Sequence, residues 1–232
     1  MNDSENRTLI RAQDLTRIYH LGSAEVVGVK GINLQIPSGE LVVLKGDSGS
    51  GKSTLLALLG GLDHPTGGDL VVAGQNLRGA TPAQLNRYRR EVVGMVFQSF
   101  NLLPTLTVIE NVCLPALMAG ETYEVVRNRA MEWLKWLGLS SRLEHYPGQL
   151  SGGEMQRTAI VRALINNPLL ILADEPTGNL DSRNGKAVIE LLAEVNTRFG
   201  RTVLIATHSG LADHLATRRL LLRDGRLTES AV

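Results

Sequence analysis

The segment Gly46-Asp47-Ser48-Gly49-Ser50-Gly51-Lys52-Ser53-Thr54, fed by the aliphatic run Leu41-Val42-Val43-Leu44, constrains this chain more than any other stretch. It fits the P-loop pattern GxxxxGK(S/T), in which a buried strand ends in a glycine-rich loop and a helix follows. Gly46, Gly49 and Gly51 let backbone amides turn inward on phosphate oxygens without Cβ clashes. Lys52 places a point charge on the β- and γ-phosphates, and the Ser53 hydroxyl can ligate Mg²⁺. A glycine-rich turn that merely caps a helix needs neither the feeding strand nor the Lys-Ser-Thr ending.

Four apolar runs stop at polar residues that could meet at one sheet edge. Residues 41–44 lead to the loop, and 92–97, interrupted by Gly94, lead to Gln98. Residues 169–173 end at Asp174-Glu175, and 203–207 end at His208. Continuous aliphatic runs suit parallel strands buried on both faces, and ligands of open α/β sheets bind beyond the carboxyl ends of the strands. Helical patterns fall between the runs, at 54–59, 82–90, 121–137, 155–165 and 185–196. Shorter strand patterns at 9–14, 26–36 and 69–76 suggest a small antiparallel layer. Residues 99–149 break the strand–helix alternation and read as an inserted helical lobe. The expected fold is therefore one α/β domain over 1–232, with a mostly parallel P-loop core at 1–98 and 150–232.

Leu150-Ser151-Gly152-Gly153-Glu154 is a second phosphate-grade helix start. Ser151 and Glu154 form a capping-box pattern, and bare amides at a positive helix end suit an anion. One triphosphate needs one cradle, so the second is expected to serve a nucleotide held by another copy. Two half-sites per chain predict a dimeric ATPase.

The carboxylates should divide the chemistry. Asp174 suits the Mg²⁺ shell and Glu175 suits polarising the water that attacks the γ-phosphate, because neighbouring strand residues point in different directions. A lone Asp-Glu before Pro176 would read as a solvated acidic turn, and the P-loop reverses that. Gln98 and His208 gain their value from position, Gln98 offering an oxygen to Mg²⁺ or water and His208 a hydrogen bond to the γ-phosphate. Tyr19 fits stacking on adenine and fits ordinary packing equally well.

The formal net charge of +1 over 232 residues gives no basic field for nucleic acid, so none is expected as a partner. The single cysteine, Cys113, excludes an intrachain disulfide and suits a reducing compartment. No apolar run approaches the ~18 residues of a membrane span, and residues 1–7 are polar, unlike a signal sequence.

Together these residues resemble the nucleotide-binding domain of ABC transporters over nearly the whole chain. The Walker A segment matches Gly46 to Thr54, the Q-loop Gln98, and the signature Leu150 to Glu154. The Walker B segment matches residues 169–175, the D-loop Asn179-Leu180-Asp181, the H-loop His208, and the adenine-stacking aromatic Tyr19. The resemblance implies ATP and Mg²⁺ as cofactors and a head-to-tail dimer closing on two ATP. Each nucleotide would lie between one chain's Walker A and the other's Ser151 and Gly153. It also implies integral membrane permease subunits as partners, and a peripheral place on the cytoplasmic face of the inner membrane. Gly60-Gly61-Leu62-Asp63, the stretch 97–107 and ADEPTGNLD at 173–181 look like the subfamily of lipoprotein-releasing, macrolide-exporter and antimicrobial-peptide resistance ATPases. The chain departs from the common pattern at Ser209, where an acid usually follows the histidine, and at Met155 and Thr158. Cell-division-type and soluble DNA- or ribosome-acting ATPases are the alternatives. The soluble types are disfavoured by the single ATPase unit, the absence of sustained heptads and the neutral charge.

Overall fold

In the computed structural model, residues 8–22 and 24–230 are described, and the polar stretch 1–7 lies outside them. Three core strands form where expected: β3 (Leu41–Lys45), β7 (Leu170–Asp174) and β8 (Thr202–Ala206). A fourth, β6 (Val93–Phe97), completes the predicted set. They join β9 (Arg218–Arg223) and β10 (Arg226–Ser230) in a six-stranded sheet of order β10-β9-β3-β8-β7-β6. Every pairing is parallel except the β9–β10 edge hairpin.

The strands show no polar alternation because both faces are covered. Leu41, Val43, Ile171, Ala173, Val203 and Ile205 face one apolar cluster, while Val42, Leu44, Leu170, Leu172, Leu204 and Ala206 face another. The period-two geometry of a strand thus serves two cores from one run.

The second cluster is closed by α1 (Lys52–Leu59), α2 (Pro82–Glu91) and a four-stranded antiparallel sheet. That sheet has the order β2-β1-β4-β5, from β1 (Thr8–Leu21), β2 (Ala24–Pro37), β4 (Gly67–Val72) and β5 (Gln75–Asn76). The first cluster is closed by α3 (Val108–Met118), α4 (Tyr123–Trp136), α5 (Gly152–Leu164) and α6 (Ser182–Phe199). Thr107 and Glu110 make a capping box that starts α3, as Ser151 and Glu154 do for α5. Gly94 on β6 allows α5 to approach, since a Cβ there would come within 2.3 Å of the Ala163 carbonyl. Trp133 and Trp136 of α4 both pack against Phe199 at the end of α6, the first tilted and the second edge-to-face, with centroids 4.8 and 5.3 Å apart. The helices of the 99–149 segment therefore share a core with the sheet.

Parallel pairing puts the carboxyl ends of β3, β8, β7 and β6 along one edge. The registers Leu44↔Ala206, Asp174↔Ala206 and Phe97↔Asp174 bring the four polar terminators level. Among the described residues no helix is long and apolar enough to cross a membrane.

Candidate active site

A cleft of about 710 Å³ opens at that edge, in the size range of ligand pockets. Its lining brings together Tyr19, Asp47, Ser48, Gly49, Gly51, Lys52, Ser53, Thr54, Gln98, Glu175 and His208. Gly46 and Ser50 complete the loop behind this surface. Gly51 sits at φ 104°, and a Cβ there would come 2.2 Å from the Gly28 carbonyl. No side chain caps α1, so its first amides stay directed at the cleft. Lys52 is 7% exposed and donates to the Gly46 and Asp47 carbonyls at 2.7 and 3.0 Å, which sets its ammonium over the loop.

The two carboxylates diverge, although by a sharper device than strand alternation. β7 ends at Asp174, and Glu175 lies in the left-handed region at φ 44°. Such a conformation costs a non-glycine residue roughly 1–3 kcal/mol and persists where its surroundings over-determine it. Here the Glu175 amide donates to the Ala206 carbonyl at 2.9 Å, and its carbonyl accepts from the Gly178 amide at 3.0 Å. Burial raises the Asp174 carboxyl above its usual range; the Ser53 hydroxyl bond and Lys52 oppose that shift, and the Glu175 charge adds to it.

Glu175 Oε1 lies 3.0 Å from His208 Nδ1, accepts from the His208 amide at 3.2 Å, and stands 3.9 Å from Lys52 Nζ. One oxygen of each carboxylate, Asp174 Oδ1 and Glu175 Oε2, is buried without a hydrogen-bond partner. Burying such atoms is costly unless something binds them. Gln98 is held by Asn179, whose Nδ2 donates to its carbonyl at 3.1 Å.

These groups fit the ligands that the P-loop implies. Among the described residues no three His, Cys, Asp or Glu side chains converge on a metal-sized site. A Mg²⁺ here would take from the protein the Ser53 hydroxyl, one Asp174 oxygen and the Gln98 amide oxygen, a hard oxygen set that leaves positions for phosphate and water.

Tyr19 donates its hydroxyl to Asp63 at 2.8 Å, with the Arg17 guanidinium 4.5 Å from its ring centroid. Its ring lines the cleft beside Val26, Val27 and Gly28, which sequence reasoning left unassigned. The signal for them was two adjacent valines in a strand of otherwise mixed polarity; they remain 46% and 42% exposed.

Ser151, Gly152, Gly153 and Asp181 do not line this cleft. Ser151 caps α5 and is exposed, whereas Gly153 is buried beneath Asn184. Asp181 caps α6, accepting from the Asn184 amide at 2.8 Å. Glu154 Oε2 accepts from the Ser151 amide and hydroxyl, both at 2.8 Å, and Oε1 accepts from Arg142 Nε at 2.8 Å. Arg142 first and the Ser151 bonds second pull the Glu154 carboxyl down to about 2. A depressed carboxylate contributes stability that is complete above its unfolded value and lost as pH falls towards its folded one. Between pH 4.5 and 2, Glu154→Gln should therefore lose less stability than the wild type, converging with it at the acid end. Paired denaturant titrations across that window check this, and parallel pH profiles would rule it out.

A family model described as ABC transporter matches residues 29–178. The macrolide export ATP-binding/permease protein MacB of Rhodopirellula baltica is 44% identical over 223 residues, which is 95% of this chain. The chain spans 33% of that relative's length. The dimeric structure of MJ0796, a bacterial ABC transporter cassette, superposes with TM-score 0.88 at 40% identity, covering 96% of this chain and 99% of that one. A second dimeric structure of MJ0796, in a post-hydrolysis state bound to ADP and Pi, gives TM-score 0.88 at 39% identity over the same shares.

Proposed function

This chain belongs to the ABC transporter family, and we propose that it hydrolyses ATP as the motor subunit of a membrane transport complex. Two copies would close head to tail on two ATP and drive a membrane permease from the cytoplasmic face of the inner membrane. One observation carries the reading. The cleft gathers a P-loop, Glu175, His208 and Gln98, while the Ser151 helix start, equally suited to phosphate, lies outside it.

In this reading the α1 amides and Lys52 hold the polyphosphate, and Tyr19 lies against adenine. Ser53, Asp174 and Gln98 would hold a Mg²⁺, which when bound would offset phosphate charge. Glu175, aimed into the cleft by its left-handed backbone, draws the proton from the attacking water. His208 holds Glu175 through Nδ1, leaving its other ring nitrogen for the γ-phosphate. Ser151 of the partner copy would add a hydroxyl and a helix end to the same phosphate. Likeness to the macrolide-export relative supports a permease that carries motion to substrates beyond the membrane, as in lipoprotein release or drug and peptide export.

The permease would seat where Gln98 meets the helical lobe. Leu103 is 45% exposed there, with Phe100, Leu102 and Leu106 half-buried beside it. An adjoining cleft of about 310 Å³ is lined by Phe97, Asn101, Pro115 and Arg162, among others. Cys113 is buried and its thiol is pushed up to about 11 by that burial, so it is poorly reactive and can be replaced. A Leu103→Cys substitution on a Cys113→Ser background should crosslink an integral membrane protein in native membranes, with a yield that changes on adding ATP. Capture only from positions near Arg223 or Thr228 would place the docking face elsewhere.

A further inference from the structure

The ladder between β3 and β8 runs to Leu44↔Ala206, and a last bond joins the Thr207 amide to the Leu44 carbonyl. Past that point the chains diverge, β3 into the P-loop and β8 into the turn that carries His208. Lys45, the final residue of β3, reaches across the gap. Its ammonium donates to the Ser209 carbonyl at 2.5 Å and stands 2.9 Å from Asp213 Oδ1. Within the turn, Ser209 donates its amide to Thr207 Oγ1 and accepts from the Leu211 amide, which stiffens it as a unit. Ala212 seats the far end of that unit in the core. The His208 side chain is 73% exposed, so packing does not set where its ring stands. The backbone of the turn must do so, together with Glu175. The residue after His208 is Ser209, which has no carboxylate, and the carboxylate facing Lys45 comes from Asp213.

We propose that Lys45 is a positioning residue for ATP hydrolysis: its ammonium ties the His208 turn to the strand that bears the P-loop, keeping His208 in register with Lys52 and Glu175. The inference rests on the ATPase reading given above. A partly exposed ion pair adds little to global stability, so the effect is local to the turn. It falls on kcat rather than on ATP affinity, because His208 acts on the γ-phosphate during attack and not on the base or the α-phosphate.

Lys45→Met should lower kcat about tenfold, the range expected when a catalytic group is displaced but present, with KM for ATP within about twofold. Lys45→Arg should restore most of the rate by keeping a cation that donates to the Ser209 carbonyl and faces the Asp213 carboxylate. Residues that act through one another are not additive. In a His208→Ala background, Lys45→Met should therefore change the single-turnover rate by less than about twofold. In NMR spectra of the nucleotide-free chain, Lys45→Met should move the imidazole resonances of His208 and leave those of His20 and His64 in place. Equal fractional losses in both backgrounds, or unmoved His208 resonances, would reduce the contact to a surface ion pair and overturn the proposal. A wild-type chain that does not hydrolyse ATP would fail the ATPase reading instead, and the NMR comparison would still decide whether Lys45 sets the histidine.

Discussion

Glu175→Gln is expected to slow ATP hydrolysis by roughly 10²–10⁴-fold, the contribution typical of a positioned general base, while ATP still binds. The substitution keeps the shape of the side chain and replaces a proton acceptor by an amide. Lys52 would remain anchored by the Gly46 and Asp47 carbonyls, and the amides of the loop do not depend on the carboxylate. The charge removed is also the one that stands 3.9 Å from Lys52 and adds to the raised affinity of Asp174 for a proton. Binding of the phosphate anion therefore loses a repulsive neighbour, and the ATP-closed dimer should accumulate. Lys52→Ala reverses the pattern: it withdraws the cation that meets the phosphates and should weaken binding and closure together. Equilibrium binding of labelled ATP, steady-state turnover and size-exclusion profiles separate the two. Near-normal turnover in Glu175→Gln would remove Glu175 from the role of base.

The placement of this site was legible in the sequence because it rests on local rules. Uninterrupted aliphatic runs at 41–44 and 169–173 suit strands covered on both faces, and parallel strands bring their carboxyl ends to one edge; only Leu169, just before β7, is exposed. The capping residues Ser151 and Glu154 announced α5 in the same way. The two strands of the edge hairpin, β9 and β10, escaped. In β9, arginines at 218, 219 and 223 outweigh the leucines in any local average, although Leu220 and Leu222 are buried against the sheet. Helix α3 falls within the 99–149 segment read as helical, although its bounds were not drawn and Pro115 inside it argues locally against a helix. The finer geometry was also hidden, because it joins residues far apart in sequence. Asn179 holds Gln98, Asp63 holds Tyr19 and Asp213 meets Lys45, and no spacing rule connects 45 with 213. The divergence of Asp174 and Glu175 was foreseen for a different reason than the one found. Alternation along a strand would have sufficed, but the chain instead takes a strained left-handed turn at 175, stabilised by the Ala206 carbonyl.

The largest test of the assembly is complementation between two dead chains. Ser151→Arg places a bulky cation where the α5 helix start should meet a phosphate held by the other copy, and leaves that chain's own P-loop intact. Lys52→Ala has the opposite defect. Each homodimer carries its defect in both composite sites and should fall to background. In a mixed dimer, the Walker A of the Ser151→Arg chain faces the intact Ser151 of the Lys52→Ala chain, so one site is assembled from two sound halves. The other site collects both defects. Mixing should therefore recover ATPase activity from near zero towards, at most, half of the wild-type rate per dimer. That Ser151, Gly152, Gly153 and Asp181 stand outside the cleft that holds Lys52 and Glu175 is what motivates the expectation. If Ser151 instead served the P-loop of its own chain, every site in the mixture would contain one fatal change and no rate could return. The measurement needs confirmed heterodimers, obtained with two affinity tags in series. It also needs a control pair in which both defects share one chain opposite a wild-type partner. There each composite site carries one defect, so the control should stay inactive, whereas a site built within one chain would leave the wild-type copy working. Recovery in the control and not in the mixed pair would place Ser151 and Lys52 in the same site of the same chain.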